Sequence, residues 1–184
     1  CDRAAQHFIG GAAGRLQSKL EKHQRTRDQS PLGRCVRTTV AKADAERLIA
    51  IAQANMAEVA AGKMALEKSA NADVKSFAQT MIDEHAKGLE ETQKVAAAKN
   101  ITLPSEPDAA HKKMAADLQK LSGAAFDKEY AGKAGLADHV KVHAALKHDM
   151  ASAKDPEIKA LAAKLEPTVA HHEDMARKLK AAIK

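Results

Sequence analysis

The sequence predicts an all-α fold: a bundle of four long helices, with a short extra helix in the connection between the second and third. Three observations carry this. Aromatic residues make up 2% of the 184 and Trp is absent, so the β-branched and aromatic side chains a sheet needs are too sparse, whereas Ala, Lys, Leu and Glu are abundant. Apolar residues recur at alternating spacings of three and four, which marks one buried face of a helix. Pro, Gly, Asn, Asp and Ser fall between those stretches, where helices start and stop.

Residues 1–42 read as a separate, basic and poorly structured leader, punctuated by Gly10, Gly11, Gly14, Pro31 and Gly33. The chain begins at Cys1, as a processed, truncated or cloning-derived sequence would. An acylated Cys1 of a lipoprotein is one such form, and a cloning-derived leader is the simpler one. Ala41-Lys42-Ala43 has the form of a signal-peptidase site, but Arg34 and Arg37 interrupt the stretch before it, which makes no apolar signal core. The helical body is expected over 43–184. Its first helix covers about 44–69, and Asn71 or Asp73 caps a second over about 72–99. Leu103-Pro104-Ser105-Glu106-Pro107 is a break that no helix crosses. A short helix over about 108–121 ends at Ser122-Gly123, and a third long helix covers about 124–153. Asp155-Pro156 then opens the last helix with Pro in its first turn, and Pro167 is expected to kink it.

Charge is unevenly placed. Residues 1–42 carry nine Lys and Arg against three acids, while 43–184 hold 21 of each sign. The alkaline pI is a property of the leader, and the body gives no strong nucleic-acid signal. Both cysteines, Cys1 and Cys35, lie in the leader as well. No apolar run approaches the ~18 residues of a membrane span. No nucleophile elbow, glycine-rich phosphate loop or CxxC pair appears.

The histidines are the most informative residues. The four helical stripes read Leu48, Ile51, Asn55, Glu58, Gly62, Ala65; then Val74, Phe77, Met81, His85, Gly88, Thr92, Val95; then Leu136, His139, His143, Leu146, Met150; then Ile158, Leu161, Leu165, Thr168, His172, Met175, Leu179. Each seam aims at least one metal-ligand type inward, and a buried imidazole or carboxylate needs a partner. The short helix, ~21 Å long, is about enough to carry the chain back along the bundle, which makes the second and third long helices parallel, as in ferritin-like bundles. Glu58, His85, His139 and His172 then stand level to within ~6 Å of rise, close enough to surround one small site.

From Asp44 onward the chain resembles the bacterial exported family known as domain of unknown function 4142, whose fold is ferritin-like. The resemblance rests on Ala57-Glu58-Val59, Val74-Lys75-Ser76-Phe77-Ala78, Met81-Ile82-Asp83-Glu84-His85, Leu103-Pro104, the run from Gly123 to Tyr130, His139, and Pro167 with His172. It implies a cell-envelope or periplasmic location and a role in stress tolerance. It implies no agreed activity. Glu58, His85, His139 and His172 sit where the family's motifs place a Glu and three His.

The functional expectation is a non-catalytic protein that binds a transition metal in the bundle core through Glu58, His85, His139 and His172, with His143 one turn from His139 as a further ligand. Zn or Cu suits this donor set better than Fe. A ferroxidase needs about four inward carboxylates with Glu-x-x-His on two helices; here Ile82 and Val169 stand three before His85 and His172, and Glu58 is the single inward acid expected. Met56, Met81, Met150 and Met175 are expected as core filler, although thioethers near the site would favour Cu(I). Tyr130 is expected to pack with its hydroxyl bonded. Two alternatives stand beside the metal reading: a structural or interaction bundle whose Glu and His form a polar layer, and a DNA-associating ferritin relative that uses the basic leader. The partners expected are a metal ion and further copies of the chain, with membrane contact only through a lipidated Cys1 or the leader's charges.

Overall fold

The computed structural model describes residues 39–183, so the expectations placed on residues 1–38 lie outside the described residues. Every described element is helical. Helix α1 spans Lys42–Lys68, α2 Ala72–Ala98, α3 Ala109–Gln119 and α4 Gly123–Glu129; a π-helical segment, Tyr130–Asp138, joins α4 to α5, His139–Ser152, and α6 spans Pro156–Ala182. The last residue assigned to the leader, Lys42, thus opens α1. No described helix is long and apolar enough to cross a membrane.

Side chains start the helices where short polar residues were expected. Asn71 Oδ1 accepts from the backbone N–H of Asp73 and Val74, and Asp155 Oδ1 does the same for Glu157 and Ile158, with Pro156 in the first turn where its missing donor costs nothing. Asp108 caps α3 through Ala110 and His111. Pro167 lies inside α6, which runs unbroken from Pro156 to Ala182.

The core clusters fix the helix directions. One end gathers Ala65 of α1, Val74 and Phe77 of α2, Leu118 of α3, Phe126 and Tyr130, and Leu179 of α6. The opposite end gathers Leu48, Ala96, Ala153, Ile158 and Leu161. Helix α2 and the composite helix from Gly123 to Ser152 therefore run the same way, and α1 and α6 run against them. The turn at the second end is tied by charge. Buried Asp44 accepts from the backbone N–H of Lys154 and Asp155 at 2.9 and 2.7 Å, Arg47 pairs with both Asp44 and Asp149, and Lys99 Nζ reaches Asp155 and Glu157 at 2.9 and 2.7 Å.

The π-helical segment is the main departure from expectation. A regular α-helix counted back from His139 puts Leu136 in the seam, but the residues buried there are Tyr130, Ala131, Ala134 and Gly135. A π turn holds more residues than an α turn, so it rotates the following face; such bulges often sit at functional sites. Tyr130 stacks on Phe126 with ring centroids 5.9 Å apart and meets Phe77 edge-on at 6.1 Å. Its hydroxyl, expected to be bonded, is buried without a protein partner.

Candidate metal centre

Three of the four helical stretches each deliver one imidazole to the same buried point. His85 comes from α2, His139 from the junction of the π-helical segment with α5, and His172 from α6. One ring nitrogen of each lies within 4.8 Å of the other two, and all three residues are buried. Ring centroids stand 5.4 Å apart for His85 and His139, 5.0 Å for His85 and His172, and 5.4 Å for His139 and His172.

The hydrogen bonds around the rings decide their tautomers. Asn55 Nδ2 donates to the carbonyl of Ile51 at 2.8 Å, which turns Asn55 Oδ1 toward His85. His85 Nδ1–H therefore donates to that oxygen at 2.9 Å. His139 Nδ1 lies 3.2 Å from the carbonyl oxygen of Ala134, which can only accept, so this nitrogen carries the proton. A neutral imidazole has one donor and one acceptor nitrogen. His85 Nε2 and His139 Nε2 are then both lone pairs, and they face each other at 3.2 Å. His172 follows the same pattern. Its Nε2–H donates to Glu84 Oε2 at 2.7 Å, leaving Nδ1 buried without a partner. Metal-ligating histidines characteristically donate their second nitrogen to a carbonyl or carboxylate in this way.

The two elements that hold these partners explain local sequence choices. A Cβ at Gly88 would fall 2.6 Å from Asn55 Oδ1, so glycine is what lets α1 present that amide to His85. Ala134 lies in the π-helical segment, whose wider turn brings its carbonyl under the His139 ring.

Burial is the dominant electrostatic fact. It holds His85 well below the ordinary imidazole range, and the neighbouring His139 and His172 add to this. His139 is lowered to about 4, by burial first and then by His172. Burial also lowers His172, against the opposing pull of Glu84. The buried Glu58 carboxyl is pushed well above the ordinary carboxylate range, by burial and then by Asp138. His111 is raised, chiefly by its hydrogen bond to Asp138.

These directions set signs. The unfolded chain takes up protons on the three triad histidines from pH 6.5 downward that the fold refuses until about pH 4 at His139, so their contribution to stability is lost as the pH falls through that window. Glu58 and His111 act oppositely: each holds a proton longer when folded, and its contribution is lost as the pH rises through its raised value. In the metal-free protein His139 is expected to titrate near about 4 by NMR. A midpoint at the ordinary value of 6.5 would mean that water reaches the ring.

The expected site residues are distributed as follows. His85, His139 and His172 come together. Glu58 borders them, with Oε1 3.8 Å from His139 Nδ1 and both oxygens buried without a hydrogen-bond partner, but it is outside the group whose ligand atoms lie within 4.8 Å. His143 is placed elsewhere: its Nδ1 pairs with Glu173 and its Nε2 with Glu166, both at 2.9 Å, which clamps α5 to α6. It lies one turn beyond His139 on the same helix, where two glutamates of α6 hold both of its ring nitrogens. His148 and His171 are exposed, as expected. No methionine lines the cavity beside the triad; Met81 and Met175 pack in the core cluster at the Phe126 end, so thioether ligation is not supported there.

Sequence reasoning missed Asn55, Glu84 and Asp138, all of which line that cavity with Glu58. Glu58 is therefore not the single inward acid. Asn55 stood in the α1 stripe, a polar residue at a core position, and could have been read as a partner. Glu84 and Asp138 are each the residue before a triad histidine, and no helical periodicity points them inward. His111, left undecided from sequence, is buried on α3 and bridges Asp108 and Asp138, at 2.7 and 3.1 Å.

No curated protein and no solved structure matches the chain. The family whose model matches it is described as domain of unknown function (DUF4142), and the match covers residues 30–179, which includes all three triad histidines. The chain belongs to this family.

Proposed function

We propose that this protein is a non-catalytic helical bundle of ferritin-like topology that binds one transition-metal ion through His85, His139 and His172. The observation that carries the reading is the pair of imidazole lone pairs facing each other at 3.2 Å. Two acceptors at that distance repel unless a cation sits between them, and burial disfavours a proton there. Two nitrogens each ~2.0–2.1 Å from a tetrahedral ion lie ~3.3–3.4 Å apart, so the spacing suits a metal. The ferritin-like assignment is supported by the parallel run of α2 and the composite third helix, with α3 in the connection.

Three neutral imidazoles favour Zn or Cu over Fe. The carboxylates nearby engage other partners: Glu84 bonds His172 and Asp138 bonds His111. A metal-handling or stress role in the cell envelope is the biological setting that the family resemblance suggests for such a site.

A second reading, a polar layer that fixes helix register, is favoured by one observation: each triad ring already holds a hydrogen bond of its own, to Asn55, Ala134 or Glu84. Elemental analysis separates the two. Protein purified without a His tag and reconstituted with Zn, Cu and Fe in turn is expected to retain about one Zn or Cu per chain. Less than about 0.2 per chain with every metal would leave the polar layer.

A further inference from the structure

A metal held by three imidazoles keeps a fourth coordination position, and among the described residues the group of ligand atoms within 4.8 Å of one another holds the three histidines and no carboxylate. Glu84 Oε2 is committed to His172 Nε2–H at 2.7 Å, and Asp138 Oδ2 to His111 Nε2 at 3.1 Å. Glu58 lies on the Nδ1 side of His139, away from the nitrogen that faces His85. Three protein ligands with a free position is the arrangement of metal sites that take an exogenous ligand; closed structural sites use four.

The space beside the triad has a definite character. The cavity measures about 30 Å³. One water needs ~10–15 Å³ by the same measure, so the space beside the metal holds a ligand of at most about two heavy atoms. Beyond the polar end, its walls are Ile51, Ala54, Val142, Leu146, Leu165 and Val169. A small anion would lose its hydration against those side chains. A neutral molecule does not meet that cost.

We infer that the centre, when it holds Cu(I), binds a neutral diatomic ligand of the carbon monoxide kind at the fourth position inside this apolar chamber. The inference rests on the metal-site reading above and adds the ligand class. Binding is coordination without change of oxidation state: the ligand donates a lone pair to the metal, takes back electron density from it, and no bond within it breaks.

The test uses the whole chain loaded anaerobically with Cu(I), its copper content measured first. Carbon monoxide is then added and the infrared spectrum recorded. One coordinated carbonyl per copper is expected. The Cu(II)-loaded protein titrated with azide is expected to show no new charge-transfer band. Stoichiometric copper with no carbonyl band would overturn the inference while leaving the metal site intact, and so would azide binding in place of carbon monoxide. Failure to load copper or any other metal would instead remove the metal site itself, and this inference with it. Ala54→Leu places bulk in the chamber without touching a ligand, and is expected to weaken carbon monoxide binding about tenfold or more at unchanged copper content. An unchanged affinity in that variant, with the infrared band still present, would place the ligand outside the chamber and overturn the assignment.

Discussion

Replacing Leu161 with Asp is expected to leave the chain unfolded at neutral pH. Leu161 is 4% exposed and packs with Leu48, Ala96, Ala153 and Ile158, where α6 closes against α1 and α2. The carboxylate would be buried among apolar atoms, and the cations at that end, Arg47 and Lys99, are already engaged by Asp44, Asp149, Asp155 and Glu157. Burying an unpaired charge costs several kcal/mol, comparable to the whole stability of a domain, ~5–15 kcal/mol. Circular dichroism at 25 °C should report the loss. A cooperative melt within a few degrees of the wild type would show that this side chain is not in the core.

His172→Ala is expected to destabilise the metal-loaded protein much more than the stripped protein. At a free metal concentration 100 times the dissociation constant, binding stabilises the wild type by ~2.7 kcal/mol; a hundredfold loss of affinity cuts this to ~0.4 kcal/mol. The melting temperature of the metal-loaded protein should therefore drop well beyond that of the stripped protein. In the stripped protein the same change removes a ring whose Nδ1 has no partner and frees Glu84, which is partly exposed and can turn to water. The cavity left by the fully buried ring costs both forms alike, so the difference between them reports the metal. Under the polar-layer reading the two forms shift together, by roughly 1–3 kcal/mol, because buried neighbours lose a partner whether or not metal is present. Equal shifts would reject metal ligation by His172.

Both predictions turn on a feature of the bundle that is physical before it is biological. The site sits in the middle of the helices, between the core cluster around Phe126 and the one around Leu161, and beside a third formed by Ile51, Leu146, Ala162 and Val169. Apolar packing around the site carries the fold, so its polar groups need not.

Much of this was legible in the residues. The stripe of α1 from Leu48 to Ala65 is buried throughout, and that of α2 is buried from Val74 to Thr92. Asn71, one of the two caps expected for the second helix, caps it, Asp155 opens the last, and His85, His139 and His172 meet. Helical periodicity says which face of a helix turns inward, and capping chemistry says where the helix begins; both are local and can be read one helix at a time. What periodicity cannot supply is rotation through an irregular turn or contact between helices. The π-helical segment leaves Leu136 half-buried against the Phe126 cluster and puts the Ala134 carbonyl beside His139, a rotation that an α-helical count does not supply. The tautomers of the triad were likewise decided only in three dimensions. They depend on Asn55 reaching His85 past Gly88, on one backbone carbonyl, and on Glu84 crossing to α6. The sequence alone determined that three imidazoles would be buried at one level of an all-helical bundle. Only the tertiary structure decided that the lone pairs of His85 and His139 face one another, because the direction of a lone pair is set by the partner on the other side of the ring, and no helical stripe names that partner.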